Sequence, residues 1–187
     1  MSSKKLPEGW VEQVLRFWFE ELTARDWFGS SQQVDEMCRD RFGSLHAALK
    51  NNPPDPDKAD ARTLLAAVIA LDQFPRNIFR RTPQAYSTDA LALSLARATV
   101  ASGKDRSLST TQRNFLYLPF MHSEERAAQA ESLRLFTGLG SPDGLKYARH
   151  HYDVVARFGR FPHRNAILGR QSTPEELEFL ATEAPLV

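Results

Sequence analysis

Apolar residues recur along this chain at helical spacing, and no stretch alternates in the manner of a strand. Trp10, Val14, Trp18 and Leu22 form one row, with Val11, Leu15 and Phe19 beside it, which predicts a helix with a wide apolar stripe. Trp27-Phe28-Gly29 is expected to end or turn it. Ser30 and Gln33 read as a capping box for a second helix carrying Val34, Met37, Cys38, Phe42, Leu45 and Leu49. Asn51 to Asp57, rich in proline, reads as a loop. Ala61 to Leu71 is almost wholly Ala, Leu, Val and Ile, a helix apolar on every side. Pro75 lacks an N–H and disfavours helix at Phe74, so this helix is expected to end near Asp72 and restart from Pro75.

Thr82-Pro83 reads as a cap with Pro at the first helical position, opening an Ala/Leu helix that ends near Gly103. Ser109 and Gln112 make another capping box, and Pro119 is expected to interrupt that helix. Ser123, with Glu124 and Glu125 in a first turn, should start the next, running to Gly138. Ser141-Pro142-Asp143 caps a helix whose face is Tyr147, His151, Val154, Val155 and Phe158, with Gly159 as its left-handed end. Thr173-Pro174-Glu175-Glu176 opens a last helix ending near Ala181. The pattern predicts an all-α chain of roughly seven to nine helices in antiparallel pairs joined by short turns.

The 187 residues suit one helical domain spanning 1–187, with residues 10–181 as its ordered core behind a short polar N-terminal tail. Lys plus Arg is 24 against 23 for Asp plus Glu, so the chain lacks the global field of a nucleic-acid or membrane-surface binder, and neither partner is expected. Cys38 is the only cysteine, which excludes an intramolecular disulfide and a thiolate metal cluster and fits a reducing cytoplasm. The segment before Pro7 has no apolar signal core, and no apolar run approaches the ~18 residues of a spanning helix. A cytoplasmic location follows as the expectation. Nothing in the pattern specifies an oligomeric state.

The candidate chemistry concentrates in Arg157-Phe-Gly-Arg160-Phe161-Pro162-His163-Arg164-Asn165-Ala-Ile-Leu-Gly-Arg170. Four arginines and a histidine lie there, and no Asp or Glu occurs between Asp153 and Glu175. Asp72-Gln73-Phe74-Pro75-Arg76-Asn77 through Pro83 is a shorter echo: Phe-Pro, Arg-Asn, an apolar pair, Arg, Thr-Pro. The two motifs read as a degenerate duplication or as one helix–Pro–helix corner reached twice. A helix restarting at Pro aims free N–H groups outward, and forked guanidinium groups beside them suit a phosphate or carboxylate. Candidate ligand-binding residues are Arg76, Asn77, His122, Glu124, Arg160, His163, Arg164, Asn165 and Arg170, with Asp72 and His151 in support. The competing reading is structural. Asp72 stands four residues before Arg76, Glu124 is available to Arg160 or Arg164, and the asparagines could satisfy free carbonyls at helix ends.

His122, Glu124 and His163 also include the residue types of proton transfer. No HExxH, no paired histidines with a carboxylate at ligand spacing and no CxxC accompanies them. His122-Ser-Glu124 matches the start of a zinc-deaminase signature, but its PCxxC is absent. No Walker A, GxGxxG or GxSxG occurs. Neither a metal nor another cofactor is expected.

Phe17-Trp18-Phe19, Leu71-Asp72-Gln73-Phe74-Pro75-Arg76-Asn77, Tyr117-Leu118-Pro119-Phe120-Met121-His122-Ser123-Glu124 and the 157–170 stretch, in this order, resemble the bacterial family catalogued as domain of unknown function 924. The resemblance runs from about Val11 to Leu180, and His151 stands where that family has a histidine. Met121 departs from it, where an acidic residue is expected. The resemblance implies a tetratricopeptide-like α-α superhelix and carries no reaction. Three readings follow: capture of an anionic small molecule or a peptide carboxylate in an Arg/His/Asn pocket; a metal-independent hydrolase or transferase using His122, Glu124 and His163; or a structural and protein-interaction scaffold whose motifs lock helix corners. Residues 72–77, 118–124 and 157–170 are expected to converge, with Asp72 or Glu124 contacting an arginine of the last stretch.

Overall fold

The computed structural model describes residues 6–182, so Met1 to Lys5 of the polar N-terminal tail lie outside it. Among the described residues the chain is all-α, without a strand. Two compact units divide between Pro119 and Phe120.

In the first unit, helix α1 (Trp10–Arg16) runs into a π-helical turn, Phe17–Glu21. The Leu22 N–H reaches back five residues to Phe17 O (3.2 Å), which deprives Trp18 O of its usual donor. The indole N–H of Trp27 supplies one at 2.7 Å. Trp27 and Phe28 therefore do not end the first helix. They belong to a separate short helix, α2 (Ala24–Phe28), whose capping box is Thr23 with Asp26. Helix α3 (Gln32–Asn51) is capped by Ser31, one residue later than the pattern suggests.

The long apolar helix differs most from expectation. Helix α4 (Ala61–Val68) passes through a second π turn, Ile69–Gln73, directly into α5 (Phe74–Ile78), with no break at Asp72. Pro75 explains the π turn. The Phe74 N–H bonds Ile69 O, and Pro75 has no N–H to offer Ala70 O or Leu71 O. Both orphaned carbonyls are met from elsewhere, Ala70 O by His46 Nδ1 (3.0 Å) and Leu71 O by the Thr88 hydroxyl (2.6 Å). Thr82-Pro83 opens only a 3-10 turn, Pro83–Tyr86, and the Ala/Leu helix proper is α6 (Asp89–Ala101). Packing of α3 on α5 and of α4 on α6 closes a core of interlocking rings. Phe42 stacks on Phe74 with centroids 4.6 Å apart, and Trp18 meets Phe115 edge-on at 5.5 Å.

Helix α7 (Thr110–His122) starts at the predicted Ser109/Gln112 box and runs on through Pro119, where an interruption is expected. The helix ends at His122 instead, where the Gln129 amide gathers the carbonyls of Met121 (2.8 Å) and Ser123 (2.5 Å).

In the second unit, Ser123 does not cap the next helix, α8 (Arg126–Leu139). The N-cap is Glu125, and the helix ends at Gly140 rather than Gly138. Helix α9 (Pro142–Phe158) packs on α8, and the approach is close enough that a Cβ at Gly144 would lie 2.7 Å from Phe136. Ser141 caps α9 and Gly159 (φ 71°) ends it, as the sequence predicts. Helix α10 (Pro174–Thr182) brings Phe179 against Val154, Val155 and Phe161.

The two Phe-Pro motifs have different backbones. Phe74 is helical inside a continuous helix, whereas Phe161 is extended after a left-handed glycine. Gly159 ends one helix before the proline arrives, and no glycine precedes Pro75. Replacing Thr88, which is buried, with Val strands the Leu71 carbonyl in the core. We expect Thr88→Val to cost about 1–3 kcal/mol, read in urea as a lower midpoint at unchanged slope. An unchanged midpoint would show that the carbonyl has another donor.

Candidate functional site

The stretch 157–170 is shaped by two carboxylates from outside it. With α9 ended at Gly159, Phe161 is extended and Pro162–Arg164 forms a single 3-10 turn, preset by the proline ring. Glu124 accepts the Phe161 N–H (2.8 Å) and a forked pair of bonds from Arg170 (2.8 and 2.9 Å), and Arg170 also bonds Phe161 O (3.1 Å). Glu176 caps α10 through the Thr173 N–H (2.8 Å), takes both prongs of Arg160 (2.6 and 2.8 Å), and accepts from Asn165 Nδ2 (3.1 Å). The partner of Arg160 is thus Glu176, not Glu124. Asn165 serves Glu176 and the Ser172 hydroxyl rather than a helix-end carbonyl.

Both carboxyls have pKa values lowered from the ordinary carboxylate value. Burial alone would raise Glu124, but hydrogen bonds from Arg170 and the Phe161 amide, with the charges of Arg170 and Arg164, outweigh it. The Arg160 hydrogen bond, helped by the Thr173 amide and Asn165, holds Glu176 at about 2 against its burial.

Four of the chain's five histidines gather in the same unit. His122 ends α7, His150 and His151 lie on α9, and His163 lies in the 3-10 turn. The Phe161 ring meets two of them, with centroids 5.4 Å from His151 and 5.6 Å from His163, and the Arg164 guanidinium lies 4.7 Å over it. His122 and His151 are 6.5 Å apart. Arg164, itself buried, donates to His122 O (2.9 Å). His151 Nδ1 bonds the carbonyl of Tyr147, one turn earlier, at 2.9 Å. Burial, reinforced by the neighbouring imidazoles, pushes His151 down to about 3. Burial and Arg164 push His163 down to about 4. Both rings are neutral at physiological pH, yet each is only half-buried.

Asp72, Arg76 and Asn77 belong to the first unit. Arg76 forks onto Asp89 (2.9 and 3.0 Å), pairs with Asp72 (3.4 Å) and also donates to the Asp72 carbonyl. Asn77 donates to Cys38 Sγ (3.6 Å) and accepts from Arg80, which forks onto Asp35 (2.7 Å on each prong). Burial pushes the Cys38 thiol up to about 12, so it is not a reactive thiolate. Met121 is buried.

Sequence reasoning passed over Glu176, Asp89 and Asp35. Glu176 had a signal, since Thr173-x-x-Glu176 is a capping-box pattern, and both box bonds are present. Asp35 and Asp89 had none, being ordinary acids at helical positions. Among the described residues, no set of three or more His, Cys, Asp or Glu side chains is placed to hold a metal ion, and no helix is long and apolar enough to cross a membrane.

These features define an all-helical protein whose second unit has a proline turn tied by arginine–carboxylate clamps beside a group of histidines. The chain belongs to the family described as bacterial protein of unknown function (DUF924), whose model matches residues 14–184. It is also similar to the solved structure of a protein of unknown function from Agrobacterium tumefaciens, at 40% identity and a TM-score of 0.85, covering 91% of this chain and 96% of that one. Among curated proteins none matches the chain.

The clamps and the imidazoles both lower stability as pH falls, over different pH ranges. Glu124 and Glu176 lose protons more readily when folded, so their contribution is complete above about pH 4.5 and fades as pH falls below it, for Glu176 down to about 2. His151 and His163 bind protons better when unfolded, so they cost stability once pH drops below 6.5, down to their folded values of about 3 and 4. Thermal melts across this range should show stability falling from pH 6.5 downward. His163→Gln should flatten the upper limb and Glu176→Gln the lower one; parallel curves for all three proteins would contradict the assignment. Arg170→Ala should cost about 2 kcal/mol, between an exposed and a fully buried pair, because it strands Glu124. Denaturant unfolding measures this directly.

Proposed function

We propose that the protein binds an anionic small molecule at the imidazole face of His122, His151 and His163, with the arginines serving as its frame. One observation carries this reading: two neutral, half-buried imidazoles flank Phe161 under Arg164, while Arg160 and Arg170 already hold Glu176 and Glu124. Guanidinium groups clamped onto carboxylates do not turn outward to a ligand without breaking charge-assisted bonds. The imidazole of His163 makes no such charge-assisted bond and can add a proton when an anion arrives. The enzymatic alternative draws less support, because Glu124 holds the Phe161 amide and both prongs of Arg170 and is poorly placed to shuttle a proton.

The ligand class is a compact oxyanion, a phosphate or carboxylate group. Its charge would offset the effect of Arg164 on His163 and raise the pKa of that imidazole, so binding is coupled to proton uptake. Titration calorimetry with inorganic phosphate and with acetate, near pH 6 in buffers of different ionisation enthalpy, tests this. We expect heats that change with the buffer in the sense of proton uptake, and loss of that dependence in His163→Gln. No binding of either anion, or heats independent of buffer, would overturn the reading.

A further inference from the structure

His151 is fixed more tightly than its neighbours. Its Nδ1 lies 2.9 Å from the carbonyl oxygen of Tyr147, on the preceding turn of α9. A carbonyl can only accept, so Nδ1 carries the proton. A neutral imidazole has one N–H, so Nε2 is a lone pair. The ring is held in that orientation by its own helix and by the edge of Phe161, at an interplanar angle of 74°. Among the described residues Nε2 has no hydrogen-bond partner, and it is not one of the sealed, unbonded atoms such as Asn165 Oδ1 and Arg170 Nε. His163 differs: neither of its ring nitrogens has a partner among the described residues, so it can turn either to donate or to accept. The titratable groups that act on His151 are His122 at the end of α7, Tyr147 and His150 on α9, and His163 in the stretch that follows; Arg164, Glu124 and Arg170 act on His163.

From this geometry we infer that the site selects an oxyanion that still carries a proton, a hydrogen phosphate group, over one that carries none. This rests on the anion-binding reading and specifies its ligand. A lone pair aimed at a fully deprotonated oxygen is repulsive, whereas the same lone pair accepts a hydrogen bond from P–OH. Phosphate near neutral pH keeps such a proton, and a phosphate monoester keeps one on part of its population because its second pKa is about 6. Sulfate, with the same shape and a similar charge, has none. His163 and His151 then divide the work, one donating to an oxygen and the other accepting from the hydroxyl.

The test uses the full chain and two probes, inorganic phosphate and sulfate, titrated near neutral pH at matched ionic strength. Sulfate should bind at least about tenfold more weakly than phosphate, the cost of one unmet charged hydrogen bond. In His151→Gln, whose amide can present either N–H or C=O, the two anions should converge. A monoester such as glycerol phosphate separates free phosphate from esterified phosphate: its affinity should fall as pH rises through about 6, while that of inorganic phosphate should persist. Nitrogen-15 NMR of the imidazoles gives a readout independent of binding and of the variant's folding, and should show His151 in the Nδ1–H tautomer. Equal affinity for phosphate and sulfate would overturn the selectivity while leaving anion binding intact. Binding of neither would overturn both, and an Nε2–H tautomer at His151 would remove the premise.

Discussion

The architecture depends on finding donors for backbone carbonyls that local structure cannot satisfy. A buried carbonyl without a donor costs as much as a lost hydrogen bond or more, so each irregularity in a buried helix needs a distant partner. Pro75 orphans Ala70 O and Leu71 O, and His46 and Thr88, far away in sequence, supply them. The π turn at Phe17–Glu21 orphans Trp18 O, and Trp27 supplies it. The end of α7 is gathered by Gln129. These bonds fix the order in which elements must pack, because each donor sits on a different helix or turn from the carbonyl it serves.

The arginines follow the same logic with charge. Arg76, Arg80, Arg160 and Arg170 each engage a carboxylate of another element through a planar fork, and all four carboxylates lie at or near helix ends. Glu176 shows why such clamps are rigid: one carboxylate caps its own helix, holds Arg160 and receives Asn165, so moving it disrupts three elements at once. Cations that look like ligand donors in the sequence are here the frame of the corner. All six candidate arginines and asparagines, Arg76, Asn77, Arg160, Arg164, Asn165 and Arg170, have partners within their own unit.

What this leaves for chemistry is the imidazole group. Histidine is the residue whose charge can respond to a ligand near neutral pH, and burial beside Arg164 keeps His163 in the uncharged state from which it can respond. Phe161 contacts both His151 and His163, and Glu124 holds Phe161 through its amide.

The sequence by itself determined the all-α class, the capping box at Ser109, the cap at Ser141, the left-handed end at Gly159 and the family, because each depends on residues within one turn or on long motifs of rare residue types. It also marked the 157–170 stretch and Glu124 as polar features that need partners. It misplaced the helix breaks at Asp72 and Pro119, since a proline's local penalty can be met by donors that only packing brings near. It read two Phe-Pro motifs as equivalent, although Gly159 gives the second a different backbone. Pair assignments, Arg160 to Glu176 and Arg170 to Glu124, were decided by tertiary structure alone, because a carboxylate's reach depends on distances in space and not on its place in the chain. The tautomer of His151 belongs to both: the helix sets Tyr147 one turn before it, and packing holds the ring where that carbonyl can be reached.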